Sequence, residues 1–344
     1  MGTVSEGLDR FQRRTSLLGL PIGVVYKYFD DQGSYLAAII TYYAFVAIFP
    51  LLLLGTTLLG VVLQGDPELE QQVLDSALAQ FPVIGTELGI PGGLSGSITA
   101  IVLGSLAALY GALGLGQAIQ NATNVAWSVP RNSRPNPILL RVKSLALLMV
   151  GGLAVLAVIV LSILASETEV LGETLASYQW PIALASVIVN TAVLTLFFRL
   201  AAARHHSMRS ALPGAALVAV TWLLIQRLGT FYVSQVLEST SEMNQTFGLV
   251  LGLLGVIFIA AVSGVLGMEL NVVLERHLWP RALLTPFTDA VELTEADRRA
   301  YAGYARAQRH KGFETVEVTF DGIPAVRPSR RGDGEDRGTR TPGG

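Results

Sequence analysis

The 344-residue chain has no cysteine, which closes off disulfides and thiolate chemistry. Charge is scarce as well. Asp, Glu, Lys and Arg make up 15% of residues, where a soluble domain averages about 25%. Histidine occurs only at His205, His206, His277 and His310, with neither a His-x-His nor a His-Glu-x-x-His arrangement. That leaves no recognisable ligand set for the catalytic metals of a nuclease. A phosphate-cradling Gly-x-x-x-x-Gly-Lys-Ser/Thr loop is also missing, so the chain does not drive itself with ATP. The first 34 residues show no small-residue cleavage site behind an apolar core, and the first apolar span is expected to act as its own uncleaved insertion signal.

What remains is apolar, at 51% of residues, and it comes in blocks. The stretch Ser34–Gln64 has no charge. About 20 residues at 1.5 Å rise cross a ~30 Å hydrocarbon core, and only helices or closed barrels satisfy their backbone there. Six blocks read as spans: Tyr35–Gln64, Ser97–Ile119, Ser144–Ala165, Pro181–Ala202, Ala211–Leu237 and Phe247–Leu274. The expected fold is an all-α polytopic membrane protein, a six-helix transmembrane bundle.

Charge sign alternates between the blocks. Arg10, Arg13, Arg14 and Lys27 precede the first span, while the next connection holds Asp66, Glu68, Glu70, Asp75 and Glu87 without a base. Arg131, Arg134, Arg141 and Lys143 follow, then Glu167, Glu169 and Glu173, then Arg199, Arg204 and Arg209, then Glu238 and Glu242, then an Arg-rich tail. Basic segments stay on the cytoplasmic side, so both termini are expected in the cytoplasm. The net charge of −2 hides this separation.

Residues 1–34 read as a cytoplasmic segment and 35–275 as the membrane domain. Residues 276–326 read as a small cytoplasmic tail and 327–344 as a disordered one. Within the leader, Leu20, Val24, Val25, Tyr28 and Phe29 fall on one helical face, with Pro21 expected in the first turn; this is an interfacial helix or a simple lead-in. The acidic connection PELEQQVLDSALAQFP has apolar residues at helical spacing and is expected to pack on the bundle. In the tail, Thr294 is placed to cap a short polar helix, ETVEVTF alternates like a strand, and Asp321-Gly322 reads as a turn.

Several spans carry more than an anchor needs. Gly104, Ala108, Ala112 and Gly116 form a small-residue row in the second span, as do Ala211, Ala215 and Ala219 in the fifth, and Gly248 with Gly252 opens the sixth. Gln117, Gln120, Asn121 and Asn124 share another face of the second span, about 30 Å from its start, either as a helix end entering water or as a cleft mouth. Pro50 deprives Val46 C=O of its helical partner, so a bend is expected, with Thr41, Tyr42 and Tyr43 facing other helices. Arg227, deep in the fifth span, either snorkels to the outer headgroups or faces an anion. Glu269 lies about 33 Å along the sixth span, so the two charges belong at opposite ends.

Four segments, in order, resemble the YihY/BrkB family of bacterial inner-membrane proteins. They are SYLAAIITYYAFVAIFPLLLL in the first span, NVAWSVPR with Asn124, Trp127 and Arg131, LPGA at Leu212–Ala215 with Tyr232-Val233 after it, and GMELNVVLER from Gly267 to Arg276. The likeness covers about residues 15–280. Met268 replaces the family's usual Ala, and MNQTFGLV keeps only Phe247-Gly248 of a segment that often shows Tyr-Gly and a later Trp. The resemblance implies a six-helix membrane protein, and it adds Asn271 of the Glu-Leu-Asn ending to the candidate functional residues. Members have been labelled ribonuclease BN, virulence factor or serum-resistance factor.

The basic connections are short and lack interleaved aromatics, so neither ribonuclease activity nor nucleic-acid binding is expected. No enzymatic chemistry and no cofactor are expected. Two functions survive: transport of a small or amphiphilic envelope solute, or a non-transporting scaffold for envelope assembly or lipid homeostasis. The bilayer is the expected partner, with a lipid or another amphiphile as candidate ligand; homo-oligomer formation stays open.

Overall fold

A computed structural model describes residues 9, 12, 16–62, 98–167, 179–203, 207–232, 242–285 and 291–320. Eight helices occur among them: α1 (Ser16–Asp30), α2 (Gly33–Val62), α3 (Ile98–Ala126), α4 (Pro137–Glu167), α5 (Gln179–Ala201), α6 (Met208–Tyr232), α7 (Glu242–Arg276) and α8 (Glu295–Ala307). The protein is all-helical over these residues. The alternating segment after α8 does not form a regular strand; only Phe320 makes an isolated bridge. Alternation decides which side chains share a face, but a strand also needs a run of backbone bonds to a neighbour, and alternation does not supply one.

Each long helix packs on the next in the chain, and α7 returns to α2, while α3 also reaches α5 and α7 across the assembly. Small residues set these approaches. Ala108, Ala112, Ala211, Ala215 and Ala219 are all buried, as the small-residue rows predict. A Cβ on Gly111 would stand 2.8 Å from Ala47 Cα, and one on Gly116 would stand 2.7 Å from Ser144 Cβ. Gly214 of α6 and Gly267 of α7 face each other so closely that a Cβ on Gly214 would overlap the Gly267 carbonyl oxygen. Close backbone approach of this kind is what drives apolar helices together where no water is displaced.

Several helix limits differ from the sequence reading. α4 begins at Pro137, seven residues before the apolar block, because Asn136 caps it: Leu139 N donates to Asn136 Oδ1 at 2.8 Å. Arg141 and Lys143, expected in a connection, therefore lie in the first turns of α4. Pro21 lies inside α1, one turn later than expected, since α1 starts at Ser16. The α1 face is also split. Val24 and Tyr28 join the core, but Val25 and Phe29 stay exposed at 44% and 68%. Thr294 does cap α8, with a capping box to Asp297. Left-handed residues follow three helices, Gln32 after α1, Ser128 after α3 and His277 after α7.

Met208–Leu228 and Val250–Arg276 are long and apolar enough to cross a membrane, with only 33% and 28% of their apolar windows buried by protein. Leu103, Leu106, Ile138, Met149, Ile188 and Leu224 likewise point away from the core. Soluble monomers rarely expose apolar patches beyond a few hundred Å². The helical row in PELEQQVLDSALAQFP, the Asp321-Gly322 turn and the tail 327–344 lie outside the described residues.

Candidate functional site

Among the described residues, the densest polar chemistry gathers where α1, α7 and α8 meet. Gly23 lets α1 come in closely: a Cβ there would stand 3.1 Å from Leu278 O and 3.2 Å from Trp279 Cβ. With Val24 and Tyr28 in the core, Lys27 on the same side is forced inward and is 0% exposed. A buried ammonium needs acidic partners. Lys27 Nζ hydrogen-bonds Asp31 Oδ2, one helical turn on, and lies 3.2 Å from Glu269 Oε2 of α7, also fully buried. The Tyr304 ring of α8 covers the ammonium at 5.1 Å. Glu269 makes a charge contact but accepts no well-aligned hydrogen bond.

A second charge knot adjoins the first. Arg281, fully buried, bonds Asp297 Oδ1 through Nε and Asp30 Oδ2 at 3.0 Å through a terminal nitrogen. The rings of Tyr301 and Tyr26 flank its guanidinium at 5.2 and 6.0 Å. Asp297 also accepts from Ala282 N at 3.0 Å and from Thr294 N at 2.9 Å. Tyr304 Oη donates to Asp30 Oδ2 at 3.2 Å and so links the two knots. Leu283 N donates to Asp9 Oδ1 at 3.0 Å. The leader and the tail, expected as separate segments, thus bind each other and the end of α7.

Two cations here face four carboxylates. Burial pushes the Asp31 carboxyl above its ordinary 3.8, with Lys27 opposing. Burial raises Tyr304, and Asp31 and Asp30 raise it further, which keeps its proton available for the bond to Asp30. Burial works against the Arg281 charge, but Asp297 and Asp30 outweigh it and hold the guanidinium protonated. For Asp31 the sign follows from the raised folded value. Its stabilising share is complete below about pH 4 and is lost as pH rises through the folded pKa. The thermal midpoint of the wild type minus that of Asp31→Asn is therefore expected to fall as pH rises from about 4 to 7. A pH-independent difference would refute this electrostatic role.

The other candidate residues are scattered. Thr41 is buried and donates to Ala37 O at 2.8 Å within its own helix. Tyr42, expected to face other helices, is 57% exposed, because the adjacent Tyr43 takes the inward position against Gly114. Pro50 lies within α2, but its side-chain surroundings are outside the described residues. The polar face of α3 divides. Gln117 and Asn121 are exposed, with Arg134 donating to Asn121 Oδ1 at 3.2 Å. Gln120 is buried and donates through Nε2 to Leu140 O at 3.0 Å and Ser144 Oγ at 2.9 Å, tying α3 to α4. Asn124 is buried too, and its Oδ1 accepts no hydrogen bond from the described residues. α3 ends at Ala126, so Asn121 and Asn124 fall within its last two turns.

Arg227 is exposed. Glu269 pairs with Lys27 instead, a partner the sequence reading counted only as a topology charge. Asn271 Oδ1 accepts from Gly214 N at 2.7 Å across the α6–α7 crossing. Among the described residues no cluster of His, Asp and Glu is arranged to hold a metal ion.

The four recognisable segments prove to be neighbours. Gly214 of LPGA packs on Gly267 and bonds Asn271 of GMELN. Arg276 donates to Trp127 O at 2.5 Å, and its guanidinium lies 5.8 Å from that ring. Ala37 of the first-span segment is fully buried in the same core as Val265, Met268 and Val272 of α7.

Comparison with known proteins agrees with this arrangement. The family described as virulence factor BrkB matches residues 24–286. A Bacillus subtilis (strain 168) protein named "Putative ribonuclease-like protein YfkH" is 24% identical over 276 residues, covering 73% of this chain and 93% of that one. No solved structure matches. The matched region takes in α2 to α7 with their uncovered apolar surfaces, and the chain belongs to the virulence factor BrkB family of membrane proteins.

Proposed function

We propose that the chain threads the bacterial inner membrane six times with both termini in the cytoplasm, and that it transports or translocates a small or amphiphilic envelope solute. The threading rests on the alternation of basic and acidic connections. The transport reading rests on one observation: buried oxygens on α3, Asn124 Oδ1 and Gln120 Oε1, accept no hydrogen bond from the described residues, and α7 packs beside this helix. Thr123 Oγ1 lies 3.5 Å from Met268 Sδ, which aligns these turns of the two helices. Unpaired polar groups in a membrane bundle mark places where water or solute is met.

The absence of native cysteine makes single-cysteine labelling clean. In proteoliposomes, cysteines at Asn124 and Tyr43 are expected to react with a membrane-impermeant maleimide. Complete protection at both positions refutes an aqueous path. The second reading, a scaffold, is favoured by Gln120, which spends its donors on helix–helix contacts. It predicts a stable partner in mild-detergent pulldown and no solute flux. The ribonuclease-like name of the relative is not carried over, and we take the chain to be no enzyme.

A further inference from the structure

A cleft of about 250 Å³ opens between α4 and α5, beside the basic connections. Lys143 and Arg199 stand at it, and Ala146, Leu196, Leu200 and Ala203 line the rest. Leu196, Leu200 and Ala146 are open to the surroundings. Lys143 donates to Ala202 O at 3.2 Å, which ties down the ammonium and leaves two of its three donors available. Among the described residues no acid pairs with Lys143 or Arg199. The cleft is thus cationic at one end and apolar along its length. Its volume is below the roughly 300–1,000 Å³ that encloses a whole small ligand. It fits part of a larger molecule whose remainder lies along the exposed leucines.

We propose that this cleft binds an anionic glycerophospholipid, with the phosphate between Lys143 and Arg199 and an acyl chain along Leu196 and Leu200. Charge complementarity selects the anion. The apolar lining selects a lipid over a free phosphate. Placement among the basic segments selects the cytoplasmic leaflet, where anionic headgroups attract Lys and Arg by about 1 kcal/mol each. Such a site stands whether or not the chain moves a solute.

Native mass spectrometry of the detergent-solubilised full chain, titrated with phosphatidylglycerol or phosphatidylcholine of matched chains, tests it. Preferential phosphatidylglycerol adducts are expected. Arg199→Gln and Lys143→Gln should each weaken them by about fivefold, while Lys143→Arg retains them. Phosphatidylcholine adducts should not change in any variant. Should Lys143→Gln fail to fold, Arg199→Gln decides alone, since it breaks no described bond. Wild-type affinity for phosphatidylglycerol in Arg199→Gln, or equal affinity of the wild type for both lipids, overturns the proposal. Displacement of the lipid by millimolar inorganic phosphate assigns the cleft to free anions and overturns it as well.

Discussion

In a Lys27→Met variant the folded state is expected to lose about 3–5 kcal/mol, the usual cost of removing one partner from a buried ion pair. The reason is the company Lys27 keeps. Its ammonium is the cation between Asp31 and Glu269, and all three side chains are at most 5% exposed. Without it, two carboxyls face each other out of water and must either repel or take up a proton. Thermal melts in detergent should move down by on the order of 10 °C. The double variant Lys27→Met/Glu269→Leu should recover part of this, because Asp31, still without its cation, then has no second carboxyl against it. A single variant that melts like the wild type, or a double variant worse than the sum of its singles, would show that the pair does not hold α1 on α7.

Gly214→Ala carries the second large effect. The added methyl would overlap the Gly267 carbonyl oxygen and stand 2.6 Å from Asn271 Nδ2. Backbone cannot swing aside as a side-chain tip can. Moving α6 off α7 also stretches the 2.7 Å bond from Gly214 N to Asn271 Oδ1. Overpacking costs about 1–3 kcal/mol and a lost hydrogen bond about 0.5–1.5 more. The control is Gly255→Ala in α7, where nothing lies within 4 Å of the new methyl. There the better helix propensity of alanine should leave stability unchanged or raise it by up to about 1 kcal/mol. Equal behaviour of the two variants in detergent melts would rule out close glycine contact as the reason α6 and α7 cross where they do.

Uncharged length made the long helices legible, and the capping chemistry at Thr294 gave α8. What stayed hidden was which polar groups meet. Lys27 read as one more base in a basic leader because its partner, Glu269, is contributed by the last long helix. Spacing along one helix carries no trace of a contact made across that distance. The glutamine–asparagine face of α3 was visible as a stripe, but rotation relative to α4 and α7 decides that Gln120 and Asn124 turn in while Gln117 and Asn121 turn out. The expectation that Tyr42 as well as Tyr43 faces other helices failed for the same reason: adjacent residues differ by about 100° around a helix, and the position of Gly114 settles that Tyr43 is inside. The end of α3, which no glycine marks, was read seven residues short of Ala126, whereas the ends of α1 and α7 were read to within two residues.

The knot of leader and tail also constrains biogenesis. Asp30 and Arg281 are 251 residues apart. At about 5–20 residues per second, the ribosome needs roughly 13–50 s between making one and the other. Throughout that interval Asp30 waits for Arg281, and Lys27 has Asp31 but not yet Glu269 for most of it. Only a chain translated through Asp297 can close the clasp, so a polypeptide arrested earlier keeps an open, charged N-terminal end that a quality-control protease can seize.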